Sequence, residues 1–242
     1  MKGIHHVAAG FGIPGLLLPS RLILFLLFQA LIALLTGSFV ESQKYWLLSA
    51  SATNIFSILI LVILFKSGGK NFFQMFRFNR ARFIKDMPLF LGLTVLCGPV
   101  VFLPNYFLSI WLWGDVSIPF NMMFQPINLP LVYILLFVFP VTIAFAELAT
   151  YFVYIMPRLR EHFSKKWISV ALPVLFLSIQ HCTLPFIPDI SFIAYRGLMY
   201  LPFACVIGIA LYFRPTLFPY FAVLHGILDF GTVMVLLSSA GN

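Results

Sequence analysis

LPLVYILLFVFPVTIAFAELATYFVYIM, residues 129–156, carries a single charged side chain, Glu147. A helix needs roughly 20 apolar residues to cross a hydrocarbon core about 30 Å thick. This run is long enough to span with tilt, and Pro140 predicts a bend within it. Six further stretches share its character: 21–40, 45–65, 87–113, 167–184, 190–213 and 216–238. Residues 8–19, broken by Gly and Pro, read as an interfacial or re-entrant piece. The expected fold class is an all-α polytopic membrane protein, a bundle of seven transmembrane helices, or eight if residues 8–19 add an element.

Composition supports the same class. The 242 residues are 62% hydrophobic and only 9% charged, whereas soluble domains carry roughly a quarter charged residues. Too little charge remains to coat a water-facing surface. The net charge of +8 does not point to nucleic acid, because the basic residues sit in a few loops and form no aromatic-interleaved face. Cys97, Cys182 and Cys205 have no metal-like spacing and read as small buried hydrophobes. The N-terminal stretch is too interrupted for the apolar core of a signal peptide. No internal repeat or soluble linker domain appears. Residues 1–128 read as N-terminal membrane helices with a basic loop, and residues 129–238 as the functional core of one membrane domain.

Loop charge predicts orientation. Lys66, Lys70, Arg77, Arg80, Arg82 and Lys85 share one connection, and Arg158, Arg160, Lys165 and Lys166 another. If the spans alternate, Lys2, Arg21 and Arg214 fall on the same side, leaving only Lys44 and Arg196 for the other. By the positive-inside rule the N-terminus is cytoplasmic and the C-terminus external, in a plasma (inner) membrane. Residues 71–86 interleave Phe and Met with Arg, and read either as an amphipathic helix on anionic headgroups or as a basic loop.

Four ionisable groups lie inside three spans: Glu147, His181, and His225 with Asp229. Such groups are costly in a bilayer and are usually functional. Counting about 1.5 Å per residue from the basic ends of their spans puts Glu147 and His225 about 15 Å deep, Asp229 about 21 Å and His181 about 22 Å. One narrow slab therefore holds all four, which predicts a shared site opening toward the basic side. A carboxylate there can take a proton from water, one histidine can orient that water, and another can donate to an oxyanion. Asp229, one turn after His225, can fix its tautomer. With no serine or cysteine nucleophile in place, direct attack by water is the expected chemistry. Glu147, His181 and His225 also make a possible zinc set, although no HExxH spacing occurs. Asn54 and Gln29 read as interhelical hydrogen-bonding amides. Arg196 and Asp189 fall near the opposite boundary, where the expectation is an arginine snorkelling to headgroups.

These residues resemble the motifs of the CPBP family of intramembrane proteases, which includes the CAAX prenyl endopeptidases and Abi-type proteins. That family carries Glu-Glu-x-x-x-Arg, often followed by Pro-Arg-Leu, then Phe-x-x-x-His, then His-x-x-x-Asn/Asp. Aligned on Pro157-Arg158-Leu159, the first glutamate falls on Glu147, with Leu148 at the second glutamate and Phe152 at the arginine. Leu177 precedes His181 at the aromatic position, and His225-Gly226-Ile227-Leu228-Asp229 completes the last motif. The resemblance covers roughly residues 130–232. It implies an intramembrane endopeptidase acting on a peptide or protein substrate in the bilayer, with Glu147 and His181 activating water and His225 and Asp229 stabilising the oxyanion. The missing second glutamate and arginine remove support for Glu147. They keep a catalytically degenerate scaffold or immunity protein in play, and a carboxylate–histidine chain is also compatible with a small transporter or proton relay.

Overall fold

The structure is a computed structural model that describes residues 12–240. The protein is an all-α polytopic membrane protein, with no strand among the described residues. Helix α1 (Ser20–Thr36), the short α2 (Phe39–Lys44) and α3 (Trp46–Ser67) lead to two 3₁₀ turns, Phe72–Phe76 and Arg80–Arg82. Then come α4 (Phe83–Trp113), α5 (Ser117–Met123) and α6 (Leu129–Leu148). A π-helical segment, Ala149–Ile155, joins α6 to α7 (Met156–His162). Helix α8 (Ile168–Ile179) ends in a 3₁₀ turn, Gln180–Thr183, and α9 (Ile190–Met199), α10 (Leu201–Phe213) and α11 (Phe218–Ala240) complete the chain.

Six helical stretches among the described residues are long and apolar enough to cross a bilayer. The seventh expected span, 167–184, is the shorter Ile168–Thr183. Its last turn tightens to 3₁₀ at Gln180 and turns inward. The first span begins earlier than expected, at Gly12, and ends at Thr36. Residues 12–17 are thus the start of that span, not a separate eighth element; residues 8–11 lie outside the described residues. The consequence falls on Arg21, expected at the basic face. It sits about 14 Å into the span and is completely buried.

The connections carrying the basic residues lie at one end of the bundle, and the 37–45, 114–128 and 184–189 connections at the other. The 71–86 segment is neither an amphipathic helix nor a loose loop. It folds as a strap whose Phe72 is buried against Phe65, while Phe76 packs on Phe145 and Phe218. Its arginines remain exposed. At this end the core is dense, with Leu148, Phe152, Ile155, Leu217 and Phe221 all buried in one apolar cluster. The other end is built around Trp46, Met123, Phe139 and Phe192.

Helices α6 and α11 form the seam that positions the site. A β-carbon on Gly226 would stand 3.0 Å from the Pro140 carbonyl oxygen and 3.3 Å from the Ala144 β-carbon. Glycine allows this approach without displacing either neighbour, and it brings the adjoining His225 against α6.

Candidate functional site

Glu147 occupies the last turn of α6, immediately before the π-helical segment. Such segments re-aim the side chains around them and recur at functional sites. Its two carboxylate oxygens meet different surroundings. Oε2 accepts from Gln180 Nε2 at 2.8 Å and lies 3.7 Å from the Arg21 guanidinium. Oε1 faces His225, whose Nε2 is 3.5 Å away. The same Nε2 lies 3.1 Å from Asp229 Oδ2, the i+4 contact that the sequence spacing implies. A ring nitrogen set between two carboxylates is a hydrogen donor. It lies closer to Asp229 than to Glu147.

His181 lies in the 3₁₀ turn after α8. Its Nδ1 is 2.8 Å from the Leu177 carbonyl, which can only accept. In the neutral ring Nδ1 therefore carries the hydrogen and Nε2 keeps its lone pair. The ring stacks on Tyr200 with centroids 4.0 Å apart, which fixes its plane. Glu147, His181, His225 and Asp229 all line one cavity of about 500 Å³. The four sequence-predicted residues are brought together.

The support for Glu147 comes from residues that the sequence did not assign to the site, although Asn54 was expected to bond between helices. Arg21 Nε donates to Gln180 Oε1 at 2.8 Å, NH1 to Ser57 Oγ at 3.1 Å and NH2 to Asn54 Oδ1 at 2.8 Å. Asn54 in turn donates to Thr142 on α6 at 3.3 Å. The Tyr151 hydroxyl is 3.4 Å from Gln180 Oε1 and 3.3 Å from the Leu18 carbonyl. Leu148 and Phe152, which stand where the resembling motif has Glu and Arg, are both packed into the apolar core. The guanidinium is delivered instead from α1, a different helix. The site is therefore not confined to residues 129–238: the first half supplies Arg21, Asn54 and Ser57. It also supplies the cavity-wall residues Trp46, Phe102, Asn105 and Tyr106. The signal that could have found Arg21 was its charge inside an apolar stretch, once the span is extended back to Gly12.

Compared with known protein families, with characterised proteins and with solved structures, the chain matches none.

The cavity reverses the expected direction of access. Below Glu147, toward the basic end, Tyr151, Phe152, Ile155 and Phe221 fill the space. The walls run the other way, past Phe139 and Met123 to Val116, Pro119 and Phe120 at the opposite end. Glu147 was placed nearer the basic end by counting residues, but depth along one helix does not say which end the packing seals. Helices α4 and α11 meet near the basic end, where Phe90 packs on Tyr220 and Phe221. Farther along, the cavity lies between them, with Phe102 and Tyr106 on one side and His225, Asp229 and Thr232 on the other.

One other expectation changes. Arg196 does not snorkel: it is 1% exposed, because its guanidinium turns inward to the carbonyls of His181 and Leu184. Asp189 caps α9 by accepting from the Phe192 N–H at 2.7 Å. Asn54 behaves as an interhelical amide, whereas Gln29 pairs both ways with the Phe186 backbone in the 184–189 connection and ties α1 to that loop. As a zinc set, Glu147, His181 and His225 fit poorly. Glu147 Oε2 is already held by Gln180 and Arg21, and His181 Nδ1 by the Leu177 carbonyl, so a metal would have to take Glu147 Oε1, His181 Nε2 and the His225 nitrogen that now faces Asp229.

Proposed function

We propose that this protein is an intramembrane endopeptidase that hydrolyses a peptide bond of a membrane-associated substrate with glutamate- and histidine-activated water. The observation that carries the reading is the convergence of Glu147, His181, His225 and Asp229 on one buried cavity. Glu147 Oε1, the oxygen not held by Gln180, takes the proton from water as the water oxygen attacks the carbonyl carbon. His181 presents the Nε2 lone pair that orients this water. On substrate entry the His225 Nε2–H turns from Glu147 Oε1, which frees that oxygen for water, to the oxygen that gains charge as the tetrahedral intermediate forms, with Asp229 holding the ring. Collapse breaks the carbon–nitrogen bond, and the proton on Glu147 passes to the leaving amine. No step is routed through a metal, so chelators are expected to leave activity intact.

The charge distribution of the loops supports an orientation with the basic end and the N-terminus in the cytoplasm of an inner membrane. In that orientation the cavity is reached from the external side or from the bilayer.

The test compares membrane proteomes of cells carrying the native protein and Glu147→Gln. The substitution keeps the Gln180 contact and removes the base but leaves Arg21 without its counter-charge, so folding of the variant is checked alongside the expected accumulation of uncleaved substrate. General-base assistance contributes about 10²–10⁴-fold, and cleavage should fall accordingly. Identical proteomes with well-folded variant protein would replace this reading with a non-enzymatic scaffold. Loss of activity in chelator, restored by zinc, would replace the water mechanism with a metal one.

A further inference from the structure

Two arginines are buried at the site, and only one has its counter-charge. Arg21 pairs with Glu147, and each of its three nitrogens reaches a side-chain oxygen on a neighbouring element. Arg196, on α9, has no carboxylate partner among the described residues. Its NH2 donates to the Leu184 carbonyl at 2.6 Å and its Nε to the His181 carbonyl at 3.3 Å. Its NH1 has only long contacts, to the Tyr200 hydroxyl at 3.4 Å and the Met199 sulfur at 3.8 Å, and the guanidinium lies 5.2 Å from the Tyr200 ring centroid. A buried charge is costly unless it is paired. The two nearby carboxylates are already engaged, Glu147 by Arg21 and Gln180, Asp229 by His225.

Arg196 lines the cavity together with Asn105 and Tyr200. Asn105 Oδ1 accepts from the Tyr195 hydroxyl at 2.6 Å, which leaves its amide N–H donors for a ligand. The rest of the wall is Trp46, Phe102, Phe120, Phe139 and Met199. We infer that this cavity binds an amphiphile with one anionic group, a carboxylate or phosphate, seated on Arg196 and Asn105, and an apolar body lying between α4 and α11. Planar guanidinium geometry suits such oxyanions. The inference does not rest on the peptidase reading, since it requires binding and no bond cleavage.

The experiment uses the full chain purified in non-ionic detergent and a dodecanoate bearing a chain-terminal diazirine. Photolabelling should map to the Phe102–Tyr106 and Val116–Phe124 walls. It should be competed by dodecanoate and by dodecyl phosphate but not by dodecanol or dodecyltrimethylammonium. Preference between the two anions distinguishes a carboxylate from a phosphate source. Arg196→Gln should weaken the anion competition by about tenfold or more, with Asn105→Leu acting in the same direction. Equal competition by dodecanol and dodecanoate in the native protein would overturn the inference, even if Arg196→Gln failed to fold. So would unchanged competition in well-folded Arg196→Gln.

Discussion

At the scale of single residues, the decisive interaction is between Arg21 and Glu147. Both are buried, so each makes the other tolerable in a low-dielectric interior. Replacing Arg21 by Gln strands the carboxylate beside Gln180 with no cation, and should destabilise the protein by about 3–5 kcal/mol. The double variant Arg21→Gln/Glu147→Gln removes both charges together and should recover most of that loss. Thermal unfolding of the four proteins in detergent gives the coupling directly. Additive losses would mean that the pair contributes nothing and that Arg21 serves only Asn54 and Ser57. Arg21→Lys should be intermediate, because one ammonium cannot replace a fork that reaches Gln180, Ser57 and Asn54 simultaneously. The same comparison explains how a chain lacking the second glutamate and the arginine of the resembling motif still supports Glu147. The cation lies 126 positions away in sequence, on α1.

At the scale of elements, the α6–α11 seam sets how His225 meets Glu147. A β-carbon on Gly226 would press on the Pro140 carbonyl oxygen at 3.0 Å, so the backbone there must give by a few tenths of an ångström. Gly226→Val should push the helices apart, cost about 1–3 kcal/mol, and reduce activity more than stability alone accounts for. Gly231 on the same helix has nothing within 4 Å of an added β-carbon, so Gly231→Ala should stay within about 0.5 kcal/mol of native. Comparing the two in one unfolding and activity assay tests whether the seam matters. Equal behaviour would show that His225 is placed by something else. Legibility in the sequence followed the same physics. Apolar length located the spans, and the i, i+4 spacing of His225 and Asp229 implied their contact, because both are properties of one helix. The π-helical turn after Glu147, the 3₁₀ end of the Ile168–Thr183 stretch and the Arg21 network were not legible. Each depends on which helix packs where. Arg196 was misplaced for a related reason. Its depth near a boundary implied snorkelling, but the Leu184 and His181 carbonyls offered closer partners than headgroups.

At the scale of the molecule, one end is sealed and the other is open. The sealed end carries the basic connections and the strap, whose phenylalanines close over Phe145 and Phe218. The open end carries the 114–128 connection, and Val116 there is both exposed and part of the cavity wall. If the basic loops are cytoplasmic, as the proposed orientation has them, the cavity mouth faces outward, and a water-soluble reagent added outside should reach it. In a background with Cys97, Cys182 and Cys205 replaced, Val116→Cys should react with a membrane-impermeant maleimide applied to intact cells. Ser164→Cys, in the exposed connection after α7, should react only after the membrane is opened. If the cavity is the route to Glu147, a bulky maleimide on Val116→Cys should also block function, whereas the same adduct on Ser164→Cys should not. External labelling of Ser164→Cys would invert the orientation and leave the mouth cytoplasmic. Labelling of Val116→Cys without any loss of function would show that substrate enters from the bilayer, between α4 and α11, past Phe102 and Tyr106.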